Sequence, residues 1–252
     1  MNPDPPLRFV VFAAPRTGSN LLCSLLDAHP DILCHRGLFN PAGIHCAGDL
    51  GDSGGVAGRD RDPAAFLDAV WAAGGGAQAI GFKMNRDEDE RAAAVLLRDP
   101  GIRKILLRRR NRVRTYVSEE IARRTGIWES FAPSPASVPA IRVEPDDLLR
   151  HVDLNTAYYA GLEAVLAATG QDWLETDYEA LADGDEIARI LAFLGVEARS
   201  ALPAACHKRG PSDLGAVVEN FGALAEALAG TTLLDDLYRR DAPDIHVHDF
   251  AG

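Results

Sequence analysis

The stretch from Leu7 to Ala28 limits what this chain can fold into more than any other. Phe9-Val10-Val11-Phe12-Ala13-Ala14 is a continuous apolar run of strand length, the pattern of a strand covered on both faces of a parallel sheet. Pro15-Arg16-Thr17-Gly18-Ser19-Asn20 follows at once, and Leu21 to Ala28 then reads as a helix ended by His29-Pro30. Strand, tight glycine-bearing loop and helix form the first half of a βαβ unit. In such a loop backbone N–H groups and the positive end of the helix dipole converge, which suits an anion. Gly18 permits close backbone approach, Ser19 adds a hydroxyl donor, and Arg16 adds a planar, permanently charged fork. The G-x-x-x-x-G-K-[ST] pattern is missing, so a magnesium-bound triphosphate is not the expected anion. A Ser/Asn cap on an ordinary βα turn would read the same way, and the loop alone leaves both readings open.

Strand and helix patterns go on alternating down the chain. Strands are expected at Asp31–Cys34, Ala79–Met84, Ile102–Leu107 and Trp173–Thr176. Helices are expected at Pro63–Ala73, Asp89–Arg98, Asn111–Arg124, Asp147–Thr169, within Tyr178–Leu194, and at Val217–Leu228. That alternation predicts an α/β protein with a central parallel β-sheet flanked by helices. Residues 1–252 are expected to form one domain with irregular inserts at about 40–61 and 128–146, where Gly, Asp and Pro displace any periodicity. The segment 203–214 looks irregular, and the tail after Asp241 is expected to be loosely held.

Charge narrows the function classes. With 26 Lys+Arg against 37 Asp+Glu the net charge is −11, a field that repels nucleic acid and anionic membrane surfaces. No apolar run approaches membrane-spanning length, and Met1 to Pro6 has no basic region of a secretory signal. The four cysteines show neither a C-x-x-C pair nor a disulfide-framework spacing, so a cytoplasmic protein with reduced thiols is expected. Yet nine Lys/Arg and two acidic residues fall between Arg103 and Arg124, again across a strand, a turn and a helix. A solvated helix face is the usual fate of such a run. Beside the first loop, at the carboxyl ends of the sheet, it would instead suit one multiply charged small ligand, with Arg16, Lys83, Lys208 and Arg209 around the same pocket.

Four segments carry a family resemblance. Pro15 to Ser19 resembles the 5′-phosphosulfate loop of sulfotransferases that use 3′-phosphoadenosine 5′-phosphosulfate (PAPS; product PAP), and Arg110-Asn111 with Ser118 resembles their 3′-phosphate motif. Leu174 to Leu181 is similar to the family strand that ends in a Tyr, here Tyr178, near the adenine. Lys208-Arg209-Gly210, followed by Asn220-Phe221 and Gly230-Thr231, resembles the C-terminal phosphate-contacting segment. The bacterial members of the trehalose and Nod-factor type share the Thr125-to-Trp128 stretch. The resemblance implies a P-loop-like nucleotide-binding sulfotransferase fold. It implies PAPS held by Arg16, Thr17, Gly18, Ser19, Asn20, Arg110, Ser118, Tyr178, Lys208, Arg209 and Gly210, with no metal. The implied partner is a small-molecule or carbohydrate acceptor; a homodimer is left open.

Sulfuryl transfer resembles phosphoryl transfer, so positioning and charge stabilisation carry it. Arg16 and Lys83 are the expected stabilisers. The base departs from the family pattern. Where relatives place a Glu this chain has Gly37, and where others place a His it has Asn85. His35 is the nearest titratable substitute, and a packed structural histidine is the competing reading. His45 and Asp49 are weaker substitutes, and an acidic phenol acceptor would need little base at all. Two other readings stand beside the enzyme: a catalytically impaired PAPS- or PAP-binding protein, and a nucleotide kinase, which the missing Lys-Ser/Thr pair disfavours.

Overall fold

The computed structural model describes residues 5–48, 50, 55–128, 138–198 and 213–240. Five parallel strands, β1 (Leu7–Ala13), β2 (Ile32–Gly37), β3 (Ala79–Asn85), β4 (Ile102–Arg108) and β5 (Trp173–Asp177), lie in the order β2-β3-β1-β4-β5. β1 is central, pairing from Leu7↔Ala79 to Ala13↔Asn85 on one side and from Arg8↔Ile102 to Ala13↔Leu107 on the other.

Its unbroken apolar run is explained by the pleat. Phe9, Val11 and Ala13 face one core, with α1 (Ser19–Asp27) and α7 (Gly184–Phe193). Val10, Phe12 and Ala14 face the other, with α3 (Pro63–Ala72), α4 (Glu90–Arg98) and α6 (Pro145–Ala168). Gly81 is where β3 meets β1 most closely: a Cβ there would lie 2.4 Å from the Phe9 carbonyl oxygen. A third core joins α5 (Arg112–Thr125), α8 (Phe221–Ala227) and α9 (Thr232–Tyr238). There the buried Asp236 accepts from Arg112 Nε at 2.7 Å, fastening α9 to the start of α5.

The first insert is not wholly irregular. It contains α2 (Gly55–Arg61), whose buried Arg59 donates to the carbonyls of Leu38 at 2.9 Å and Asn40 at 2.8 Å. A charged fork satisfying loop carbonyls leaves no hydrophobic period in the sequence. α9 was likewise invisible, being seven residues long, and the helix expected at Val217–Leu228 is the shorter α8, preceded by a 3-10 turn at Leu214–Ala216. Residues 129–137 of the second insert and the tail from 241 lie outside the described residues. Among the described residues no helix is long and apolar enough to cross a membrane.

From β1 the chain runs to β2 on one side, returns through β3, and crosses β1 to reach β4 on the other. The carboxyl ends of β1 and β4 therefore flank a topological switch point, where α/β sheets open a crevice for ligand. Tyr159 of α6 spans those two ends: its hydroxyl accepts from the Ala14 N–H at 2.9 Å and donates to the Leu107 carbonyl at 2.5 Å. Tyr159→Phe leaves both backbone groups buried and unsatisfied, and is expected to cost about 2–4 kcal/mol of stability. Urea denaturation checks this, and a loss of only a few tenths of a kcal/mol would contradict the clamp.

Candidate functional site

The loop 15–20 leaves β1 at the switch point. Gly18 caps α1 in the left-handed conformation, φ 93°, and contributes no side-chain cap. The first helical hydrogen bond is Leu22 N–H to the Gly18 carbonyl at 3.0 Å, so the amides of Ser19, Asn20 and Leu21 have no helical carbonyl to meet. The Asn20 Oδ1 is buried without a hydrogen-bond partner among the described residues. Thr17 turns inward and donates to the Ala14 carbonyl at 2.8 Å.

Tyr178, at the end of β5, closes the loop from the far side. A Cβ on Gly18 would lie 2.4 Å from its Cδ2, so the ring packs directly on the glycine and a side chain there would be strained twice over, by space and by φ. The Arg109 guanidinium lies 4.5 Å from the same ring's centroid, and its Nη1 donates to the Arg16 carbonyl at 3.2 Å. Arg16 itself takes a positive φ of 65° and points across the crevice, its Nε donating to Ser118 Oγ of α5 at 2.9 Å and its Nη1 to the Trp128 carbonyl. Arg110 lies alongside: its Nε donates to Asp177 Oδ2 at 2.7 Å and its N–H to Glu179 Oε2 at 3.0 Å, the residues flanking Tyr178. Arg16, Thr17, Gly18, Ser19, Asn20, Ser118, Arg110 and Tyr178 are thus brought to one end of the sheet. Lys208, Arg209 and Gly210 lie outside the described residues.

Lys83 is buried near the end of β3, beside β1, where its register partner is Val11. Two residues on, Asn85 Oδ1 accepts a long contact of 3.5 Å from Ser19 Oγ, joining β3 to the loop. A Cβ at Gly37 would lie 3.7 Å from Lys83 Cε, so the position where relatives carry a Glu faces this lysine.

His35, the residue expected as the base, lies inside the sheet. It is fully buried in β2, its Nδ1 accepts from the Ala47 N–H at 3.1 Å, and its Nε2 has no partner among the described residues. Burial pulls the imidazole down to about 4, so it is neutral at pH 7 and offers no exposed nitrogen to an acceptor. His45 is exposed on the following loop, and Asp49 lies outside the described residues.

The basic run is corrected too. Its members do not ring one pocket: Lys104 donates to the Asp99 carbonyl and Gln171 within the fold, Arg108 pairs with Glu163, Arg112 with Asp236, and Arg123 with Glu119 and Glu120. Arg109 and Arg110 alone of those with described side-chain partners lean on the loop or its tyrosine segment. Sequence reasoning missed Arg109 as a contact of Tyr178, and it missed Glu88, whose carboxylate accepts from Asn85 N–H at 3.0 Å and Asn85 Nδ2 at 2.9 Å. Glu88 follows the lysine strand inside a turn rich in acids, and nothing in the spacing separates it from Asp87 or Asp89.

A depressed histidine gives a signed pH dependence. Between pH 6.5 and about 4 the unfolded chain takes up a proton that buried His35 refuses, so its share of stability is full above that window and is lost as pH falls through it. His35→Gln is expected to lessen the slope of unfolding free energy across this window, to which His151, also pulled to about 4 by burial, adds with the same sign. An unchanged slope in denaturation series would contradict the burial of His35.

No family model matches the chain. Nodulation protein H of Rhizobium tropici is 27% identical over 237 residues, covering 91% of this chain and 91% of that protein. Among solved structures, a sulfotransferase from Alicyclobacillus acidocaldarius is 20% identical with a TM-score of 0.44, over 94% of this chain and 97% of that one. The mouse sulfotransferase SULT7A1 complexed with PAP is 12% identical with a TM-score of 0.40, over 91% of this chain and 73% of that one. At such TM-scores these two likenesses in shape carry no weight beside the sequence relative. That relative spans nearly all of both chains, and the similarity agrees with the resemblance of the motifs to bacterial sulfotransferases.

Proposed function

We propose that the protein transfers a sulfuryl group from PAPS to a hydroxyl of a small-molecule or carbohydrate acceptor. The observation that carries this reading is the 2.9 Å contact between Arg16 and Ser118. The resemblance assigns those residues to the two phosphate ends of one nucleotide, and they meet across the crevice at the switch point. The orphaned Asn20 Oδ1 and the uncapped start of α1 fit a polar, anionic ligand at the same place.

The donor supplies a sulfuryl group already activated as a phosphosulfate. The chain supplies position and charge. The amides at the start of α1 and the Ser19 hydroxyl bind the 5′ side, while Arg110 and Ser118 bind the 3′-phosphate, Arg110 exchanging Asp177 for the ligand. Tyr178, whose ring lies against Gly18 and Arg109, is the aromatic residue that the resemblance puts near the adenine. Arg16 and Lys83 stand where negative charge develops, and a buried lysine in a water-poor crevice stabilises such charge more than one in bulk water.

A PAPS-coupled screen of sugars, phenols and lipid-linked hydroxyls tests the activity: PAP release that depends on an added acceptor supports transfer. PAP binding without any such release would favour the competing reading, a nucleotide-binding protein without transfer. Calorimetry tests the site. Arg110→Ala is expected to weaken PAP by about 10- to 100-fold, the worth of a charge-assisted hydrogen bond, and to leave adenosine 5′-phosphate unchanged. Equal loss for both nucleotides would remove Arg110 from the 3′-phosphate.

A further inference from the structure

We infer that Glu88 is the group that takes the proton from the acceptor hydroxyl, in place of the Glu and His positions that Gly37 and Asn85 leave without a base. The inference rests on the sulfuryl-transfer reading above and names the residue that completes it.

The geometry starts from β3. Lys83 and Asn85 are two residues apart on one strand and so project to the same face at the carboxyl end of the sheet. The chain then turns sharply: the Glu88 N–H meets the Asn85 carbonyl at 3.3 Å, and Asp87 is held at φ 68°, a conformation that side chains other than glycine adopt at a cost. That turn swings the Glu88 side chain back onto Asn85. With its Nδ2 committed to Glu88, Asn85 directs Oδ1 towards Ser19 of the phosphate loop. Glu88 is therefore one side chain removed from the loop that the donor would occupy. It lies against the residue that replaces the family histidine.

The carboxylate keeps capacity for chemistry. Its two oxygens each accept one hydrogen bond from Asn85, which leaves about two of roughly four lone-pair sites for a substrate hydroxyl. Two carboxylates beside Tyr178 are committed elsewhere: Asp177 to Arg110 Nε, and Glu179 to the amides of Arg110 and Asn111. One further polar atom points to a ligand on this side. Tyr158 Oη is buried without a hydrogen-bond partner among the described residues, and it belongs to the electrostatic surroundings of Glu88.

The charged groups acting on Glu88 are Lys83 from β3 and Arg59 from α2; the titratable Tyr158 from α6 interacts with Glu88 and in turn with Arg86 and Asp87 of the same turn. Burial raises the Glu88 carboxyl above its ordinary value, more than Asn85, Lys83 and Arg59 lower it. A raised carboxyl is a better proton acceptor than a free one. In the step, the acceptor O–H bond breaks and its proton goes to a Glu88 oxygen. The acceptor oxygen forms the new bond to sulfur, the bridging S–O bond breaks, and PAP leaves with that electron pair. Glu88 then returns the proton to solvent.

The test compares wild type, Glu88→Gln and Glu88→Ala, using the alcohol that gives most PAP release in the screen. Glu88→Gln is expected to lower kcat by about 10²- to 10⁴-fold while leaving the Kd for PAP unchanged. The wild-type kcat is expected to rise with pH as Glu88 ionises, a limb that Glu88→Gln lacks. Formate is expected to restore turnover in Glu88→Ala. Turnover in Glu88→Gln near the wild-type level overturns the assignment. So does a loss that formate does not relieve, or one matched by weaker PAP binding, since either marks a structural role in the turn. A wild type that binds neither PAP nor PAPS instead overturns the sulfuryl-transfer reading, and the inference falls with it.

Discussion

Tyr159 ties the two central strands together where they end, its hydroxyl accepting from Ala14 and donating to Leu107. Everything proposed for the site is measured from that point. The clamp fixes where β1 stops and the loop 15–20 begins, and it does the same for β4 and the turn that carries Arg109 and Arg110. A phenol buried between two strand ends satisfies one backbone donor and one backbone acceptor that no ladder reaches, so the crevice can be opened without leaving orphaned groups at its floor. Tyr178 and Gly18 then set its far wall. Their contact leaves no room for a Cβ, which makes the loop's approach to β5 as specific as its departure from β1.

The strands and most helices were legible because burial on both faces of a parallel sheet writes continuous apolar runs. The periodicity of α1, α4 and α7 is equally plain. α2 was hidden because a buried arginine, not an apolar stripe, holds it against the loop. The loop motif and the Arg110–Ser118 segment could be read as one site, since strand alternation places both at carboxyl ends. His35 could not be placed. Its neighbour Cys34 faces α1, and only the fold shows that the imidazole enters a sealed layer on the other side of β2. Glu88 was missed for the opposite reason. Its position depends on one left-handed residue, Asp87, which reverses the chain after β3.

Net charge and local charge act on different scales here. The −11 balance sets the far field, which disfavours polyanions. The basic stretch 103–124 is largely spent on internal carboxylates that hold α5, α6 and α9 in place. What remains for a ligand is narrower than the count suggests: Arg16, Arg109 and Arg110 around Tyr178, and Lys83 beside Asn85. A few cations oriented by a rigid sheet end bind one small anion selectively, whereas a diffuse patch would attract many.

The proposed nucleotide site is a single crevice at the ends of β1, β3 and β4. A crystal structure of the PAP complex tests it most directly. The account predicts the 5′-phosphate on the amides of residues 18–20 and the 3′-phosphate on Arg110 and Ser118, with the adenine against Tyr178. Nucleotide bound elsewhere, or phosphates that leave the Arg16–Ser118 and Arg110–Asp177 contacts untouched, would contradict it.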